Sequence, residues 1–228
     1  KNILIENKNK LDEKEKEIIK KTEEDLIIIR NKRVKPLFDD KSQTDQNAFL
    51  ISALLSASII LEDEDIKEIA VQKFKILKDK MSDKIFHCYQ SEEIDVFLED
   101  HVFYSKLLLN LYEIDGKKEY LDEASKIMVE AWNMFYDEKS KLLQKNPIKR
   151  NDLFVNPVDL NDNNIPNGNS VYLTQLNKLY YITNDKHWSE KSRLLQQSFH
   201  QVLNSNFSQM FSFVKALDMY HETISFTF

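Results

Sequence analysis

A chain of 228 residues with 42% hydrophobic and 31% charged side chains carries enough apolar material for a sizeable core. Its net charge of -6 and pI of about 5.5 exclude the basic balance of a nucleic-acid binder, and with 2 glycines and 4 prolines it lacks the turn residues of a β-rich fold. An all-α chain is expected, because helical hairpins can close on Asn and Asp. The single cysteine, Cys88, excludes an internal disulfide and any paired-cysteine redox or zinc motif. No uninterrupted apolar run reaches the roughly 18–20 residues that span a bilayer. The most apolar stretch, Phe49 to Leu61, is broken by serines. There is no secretory leader pattern. These features set the expectations of a cytoplasmic chain with no membrane and no nucleic-acid partner. The chain starts without Met and stops abruptly at Phe228, so it is expected to be a piece of something longer.

Leu11 to Val34 reads as an amphipathic helix. Asp12 and Glu15 have capping-box spacing, Leu11, Ile18, Thr22, Leu26 and Ile29 share a face, and Pro36 stops the helix. Thr44 is a candidate N-cap for a helix to Glu62 that is apolar nearly all round, as a helix buried on most sides would be. Asp65 to Met81 has one apolar stripe. Ile85 to Tyr89 reads as a short extended segment. Asp100 is a candidate cap for a helix to Ile114, which Asp115-Gly116 ends. Lys117 to Tyr136 is the next helix. A long Asn-, Asp- and Pro-rich loop then runs to Asn169, and loops of that length are usually functional or disordered. Val171 to Thr183, Lys186 to Leu203 and Phe207 to Tyr220 complete the helices, and Ile224 to Phe228 reads as a strand.

An internal echo links these elements. Leu108–Met128 (LLNLYEIDGKKEYLDEASKIM) and Leu176–Leu195 (LNKLYYITNDKHWSEKSRLL) both join an apolar helix end, a polar turn, an aromatic residue and an amphipathic helix. Leu54–Leu77 is a weaker third copy. Such repeats indicate stacked helical hairpins. The first helix of each pair is the more apolar, as inner helices of a ring would be, although a superhelical solenoid gives the same pattern.

Three blocks carry a family resemblance. Phe38-Asp39-Asp40-Lys41 with Thr44 and Asn47 resembles a DDK…TxxN block. Leu98-Glu99-Asp100-His101-Val102-Phe103 resembles an LDDYAF block. Asp159…Asp162…Pro166-Asn167-Gly168-Asn169-Ser170 resembles a DxxDxxxPSGNS block. In order and spacing they resemble the YyaL-type, or spermatogenesis-associated protein twenty, family, from about Asn2 to Phe228. The family pairs a thioredoxin-like domain with an (α/α)6 toroid similar to six-hairpin glycosidases and N-acylglucosamine 2-epimerases. The resemblance implies one toroid-like helical domain over 1–228, incomplete as a ring and without the thioredoxin-like domain. The family usually has Trp at Gln46, Gly at Ala48, Tyr at His101 and Ser at Asn167. Gln46 therefore removes a stacking surface for a sugar.

Each block precedes an apolar helix, and in a toroid the inner-helix N-termini gather at one mouth. Asp39, Asp40, Lys41, Asn47, Asp162, Asn169 and Ser170 are then expected to orient a ligand, with Asp100 and His101 as catalytic acid/base candidates. Asp100 with Asp40 or with Asp162 would form a glycosidase-type carboxylate pair at roughly 5–9.5 Å. The competing reading is structural: Asp100 and Thr44 as N-caps, Asn169 or Ser170 as a cap, and Asp39-Asp40 as a loop anchor. His87, His187, His200 and His221 look scattered. No HxxxH or HExxH spacing, P-loop, GxGxxG or GxSxG occurs, so no metal or cofactor is expected. The expected function is binding or processing a carbohydrate-like small molecule at the mouth. The alternatives are a non-catalytic scaffold docking a thioredoxin-like domain or other protein, and a fragment with no function of its own.

Overall fold

The computed structural model describes residues 11–81, 84–89, 95–150 and 152–222, without the side chains of 200–206 and 220–222. The expected strand at Ile224 to Phe228 lies outside the described residues. Contacts divide the chain, read above as one domain over 1–228, into a unit ending at Asp40 and a unit beginning at Lys41.

The first unit holds α1 (Glu13–Asn31). Its capping box forms as the sequence indicates. Asp12 Oδ1 accepts the Glu15 N–H at 2.8 Å, and Glu15 Oε2 accepts the Asp12 N–H at 2.9 Å. The apolar face is present but buries nothing: Ile18, Leu26 and Ile29 are all exposed.

The second unit is a run of helical hairpins: α2 (Thr44–Leu61) with α3 (Glu64–Met81), α4 (Leu98–Asp115) with α5 (Lys118–Phe135), and α6 (Gly168–Thr183) with α7 (Lys186–Asn206). A final helix, α8 (Phe211–Glu222), follows a single 3-10 turn and packs on α6. α4 packs on both α2 and α6, so α2, α4, α6 and α8 form an inner layer and α3, α5 and α7 an outer one. Burial follows the same division. The outer helix α3 buries one stripe, Ala70, Phe74, Leu77 and Met81, at i, i+4, i+7, i+11 spacing. The central helix α4 buries Val102, Phe103, Leu107, Leu108, Leu109 and Leu111 on nearly every side. Left-handed residues end three helices: Glu62, Gly116 and Asn184. Gly116 takes this conformation without a Cβ penalty, and the other two show why so few glycines suffice.

Polar side chains lock the layers together. Tyr172 on α6, fully buried, donates to the Met128 carbonyl of α5 at 2.6 Å. Asn177 on α6 donates to Ala216 O of α8 at 2.9 Å and accepts from Ser192 Oγ of α7 at 2.6 Å. The long loop after α5 starts with a hairpin that the sequence reading does not contain: β1 (Tyr136–Asp137) pairs antiparallel with β2 (Leu142–Leu143). Two residues per strand are too few for an alternating pattern to register. Among the described residues, α2 is the one helix long and apolar enough to cross a membrane by length and composition. Its Ala48, Ile51 and Leu55 are core residues, while Leu50 and Ile60 are exposed.

Because Leu108 sits fully buried on the helix that both neighbouring hairpins share, Leu108→Ala is expected to cost about 2–5 kcal/mol. Chemical denaturation should show this as a lower midpoint at unchanged slope.

Candidate functional site

Successive hairpins return each inner helix in the same direction, and three joints bring their N-termini to one rim. The Asp45 N–H at the start of α2 donates to Asp100 Oδ1 on α4 at 3.2 Å. Gly168 at the start of α6 lies against Leu98 and Glu99 at the start of α4. A Cβ there would come within 2.9 Å of Leu98 Cδ2, so any larger residue would have to displace the Leu98 and Glu99 side chains. Asp162 joins α6 to α8: its Oδ1 accepts the Asn167 N–H and side-chain amide, each at 3.0 Å, and its Oδ2 accepts the Ser212 N–H at 2.7 Å.

Of the residues expected from sequence to bind a ligand, Asp162 is built into one of these joints, and Asn47, Asn169 and Ser170 are bonded to their own loops and strand. Asp100 has no exposure, and its carboxylate also accepts the Phe97 N–H at 2.8 Å. It is not the N-cap but the third residue of α4, reaching back to the N-cap backbone. Asn169 pairs with strand β2, accepting the Leu143 N–H at 2.9 Å and donating to Leu143 O at 2.8 Å. The α6 cap is Asn167, not Asn169 or Ser170, and its Oδ1 accepts the Ser170 N–H at 2.9 Å. Asn47 donates to Gln43 O at 2.7 Å. Thr44 is the first helical residue of α2 rather than its cap, and its hydroxyl donates to Phe86 O. Asp39 and Asp40 are exposed residues of the first unit. Lys41 is an exposed residue at the start of the second.

The two acid/base candidates part company. His101 is buried against Phe135 and faces a cavity of about 560 Å³ between α4 and α5. Burial lowers its pKa to about 4, so the ring is neutral at pH 7. Asp100 lies on the rim side. Neighbouring residues on a helix point about 100° apart, so adjacency in sequence separates rather than joins these two.

The rim itself holds a cleft of about 540 Å³, and its wall includes Asp45, His87, Glu99, Lys145, Asp159 and Asn167. His87, Glu99 and Asp45 were not singled out from sequence. The available signal was Glu99 beside Asp100 in the LED block. His87 gave none, because it arrives on the 84–89 segment, which bridges Gln43 through Cys88 and accepts the Thr44 N–H at His87 O, 2.9 Å. His87 Nδ1 lies 3.1 Å from both Asp100 oxygens, and its Nε2 lies 3.0 Å from Gln43 Nε2. The Asp100 hydrogen bond raises the His87 pKa, outweighing burial. Burial pushes Asp100 up against the hydrogen bonds that favour its charge.

Asp45, His87 and Asp100 each place a ligand-type atom within 4.8 Å of the others, which is a spacing a cation could use. In the structure these groups satisfy one another and the helix N-termini. Glu99 differs. Its Oε2 is buried with no hydrogen-bond partner, and burial, with Asp100 and Asp159 nearby, raises its pKa against the pull of Lys145.

Fold and rim define an all-α array of helical hairpins of the (α/α)6-toroid type. The sequence is similar to spermatogenesis-associated protein 20 of Homo sapiens, 24% identical over 223 residues, and of Rattus norvegicus, 26% over 216. Each match covers 88% of this chain but only 28% and 27% of the relative, so the chain spans little more than a quarter of their length. No family model matches. Among solved structures, the array is similar to a GH76 α-mannanase of Bacteroides thetaiotaomicron (TM-score 0.63, 17% identity, 83% of this chain and 54% of that one). It is also similar to an α-1,6-mannanase of Salegentibacter sp. (0.57, 18%, 82% and 54%), solved as an inactive variant with two consecutive aspartates replaced and α-1,6-mannotriose bound. A third is cellobiose 2-epimerase of Bacillus thermoamylovorans (0.55, 16%, 69% and 44%).

A raised His87 pKa means that its pairing with Asp100 stabilises the fold fully below the ordinary value of 6.5 and loses that effect as pH rises through the folded value. The melting-temperature deficit of His87→Gln should therefore be larger at pH 6 than at pH 9.

Proposed function

We propose that the rim cleft binds a carbohydrate-like small molecule and that Glu99 is its proton-transferring group. The carrying observation is the Glu99 carboxyl at the wall of a polar cleft, with one oxygen buried and unpartnered and its pKa raised. A carboxyl held toward neutrality is better suited to donate a proton to a leaving oxygen than an ordinary carboxylate is. Asp159, whose charge acts on Glu99, is a further carboxylate of the cleft beside Asp45, and Lys145 supplies a donor for hydroxyl groups. Asp100, placed by the sequence reading in the acid/base role, acts behind the wall by holding His87 and the α4 start.

The carbohydrate class is supported by the names of the structural neighbours, two mannanases and an epimerase. The Salegentibacter enzyme was inactivated at two consecutive aspartates, and this chain opens α4 with the consecutive acids Glu99 and Asp100.

The test is a thermal-shift screen of mono- and disaccharides on the wild type and on Glu99→Gln. A sugar that raises the wild-type midpoint and not that of the variant supports the reading. An equal shift in both removes Glu99 from the site. The sign of the variant's own stability is also fixed. Glu99 with a raised folded pKa destabilises the fold as pH rises past the ordinary carboxylate range, so Glu99→Gln should gain midpoint at pH 8 relative to pH 4.

A docking role for the chain is favoured by one observation, the exposed apolar face of α1 with Ile18, Leu26 and Ile29. Co-elution with a thioredoxin-like domain, lost in Leu26→Glu, is the outcome it requires.

A further inference from the structure

The inner layer lines a separate, open cavity of about 410 Å³ between α2, α4, α6 and α8. Three lysines line it, each from a different helix: Lys106 on α4, Lys178 on α6 and Lys215 on α8. This is a local excess of positive charge in a chain whose net charge is -6. One carboxylate shares the wall, Glu113, and it pairs with Lys178 at 2.7 Å. Lys106 Nζ lies over the Phe49 ring, 5.4 Å from its centre. Among the described residues, neither Lys106 nor Lys215 has a carboxylate within ion-pair distance. Burial first, then the charges of Lys178 and Lys215, lower the Lys106 pKa, so the three ammonium groups act on one another.

A second observation points into the same space. Gln175 on α6 is 1% exposed, lines the cavity, and its side-chain oxygen has no hydrogen-bond partner. A buried amide oxygen without a donor destabilises the fold unless a ligand or water supplies one. Thr174, Ser212 and Asn110 add further polar groups to a wall otherwise made of Leu55, Ile59 and Val171.

We propose that this inner cavity binds a small phosphorylated molecule, its phosphate held by Lys106, Lys178 and Lys215 and a hydroxyl donated to Gln175. Lysine recognises phosphate as a point charge, and three converging lysines favour a dianion over a monoanion. The apolar wall suits the face of the attached organic group. The inference rests on the inner helices alone and is independent of the rim cleft.

Calorimetric titration of the full chain with inorganic phosphate, at ionic strength held constant with chloride, tests it. Acetate is titrated in parallel, and Lys106→Gln, Lys215→Gln and the outer-helix control Lys73→Gln are compared with the wild type. Saturable phosphate binding, weakened roughly tenfold (about 1.4 kcal/mol) by either inner substitution and unchanged by Lys73→Gln, is expected, since each lysine contributes a charge-assisted hydrogen bond. Lys215 is exposed, so Lys215→Gln tests the site even if Lys106→Gln does not fold. The proposal is overturned if phosphate gives no more than chloride, if Lys73→Gln weakens binding as much as Lys215→Gln, or if acetate binds as tightly as phosphate.

Discussion

Four helices that start at one rim impose the constraint from which the rest of this structure follows. The first turn of every α-helix leaves backbone N–H groups without intrahelical partners, and aligned peptide dipoles add positive potential at the same end. With α2, α4, α6 and α8 beginning side by side, those demands concentrate in a small volume and need shared acceptors. Asp100 serves the starts of α2 and α4 with one carboxylate, and Asp162 serves the starts of α6 and α8 with another. Each of these aspartates is at once a capping group and a weld between hairpins. Gly168 completes the rim by letting the α6 backbone approach Leu98 and Glu99.

That constraint explains why polar residues crowd the rim without all being functional. Asn167, Asn169 and Ser170 spend their hydrogen-bonding capacity on the loop and on strand β2, and Asn47 spends its own on the turn before α2. Once the joints are accounted for, Glu99 is left with a buried oxygen that has no partner. An acid with one oxygen left unpartnered by the joints and held toward its neutral form is a candidate for chemistry rather than packing.

The charge layout differs between the two cavities. Acids meet the helix N-termini at the rim, while lysines from α4, α6 and α8 line the other cavity. In the helical setting of the described residues, Lys178 is balanced by Glu113 and Lys106 rests on an aromatic ring. Pro166 contributes to both walls.

By itself, the sequence determined the helical class, the hairpin repeat and the division into inner and outer helices. Those properties depend on local periodicity: the single stripe of α3 and the all-round apolar body of α4 are both visible as spacing along the chain. Thr44 with Asn47, Leu98 to Phe103, and Gly168 to Ser170 from the resemblance blocks each lie at the start of an inner helix. The roles of individual rim residues were not legible, since a capping aspartate and a reactive one have the same local context. Only the tertiary structure decided that Asp100 and Asp162 bond across helices, that His101 turns to another cavity, and that His87 arrives from a separate segment to meet Asp100. Hydrogen bonding between elements 13 to 55 residues apart, such as His87 with Asp100 and Asp45 with Asp100, has no periodic signature, so packing alone determines which polar groups are used up and which remain.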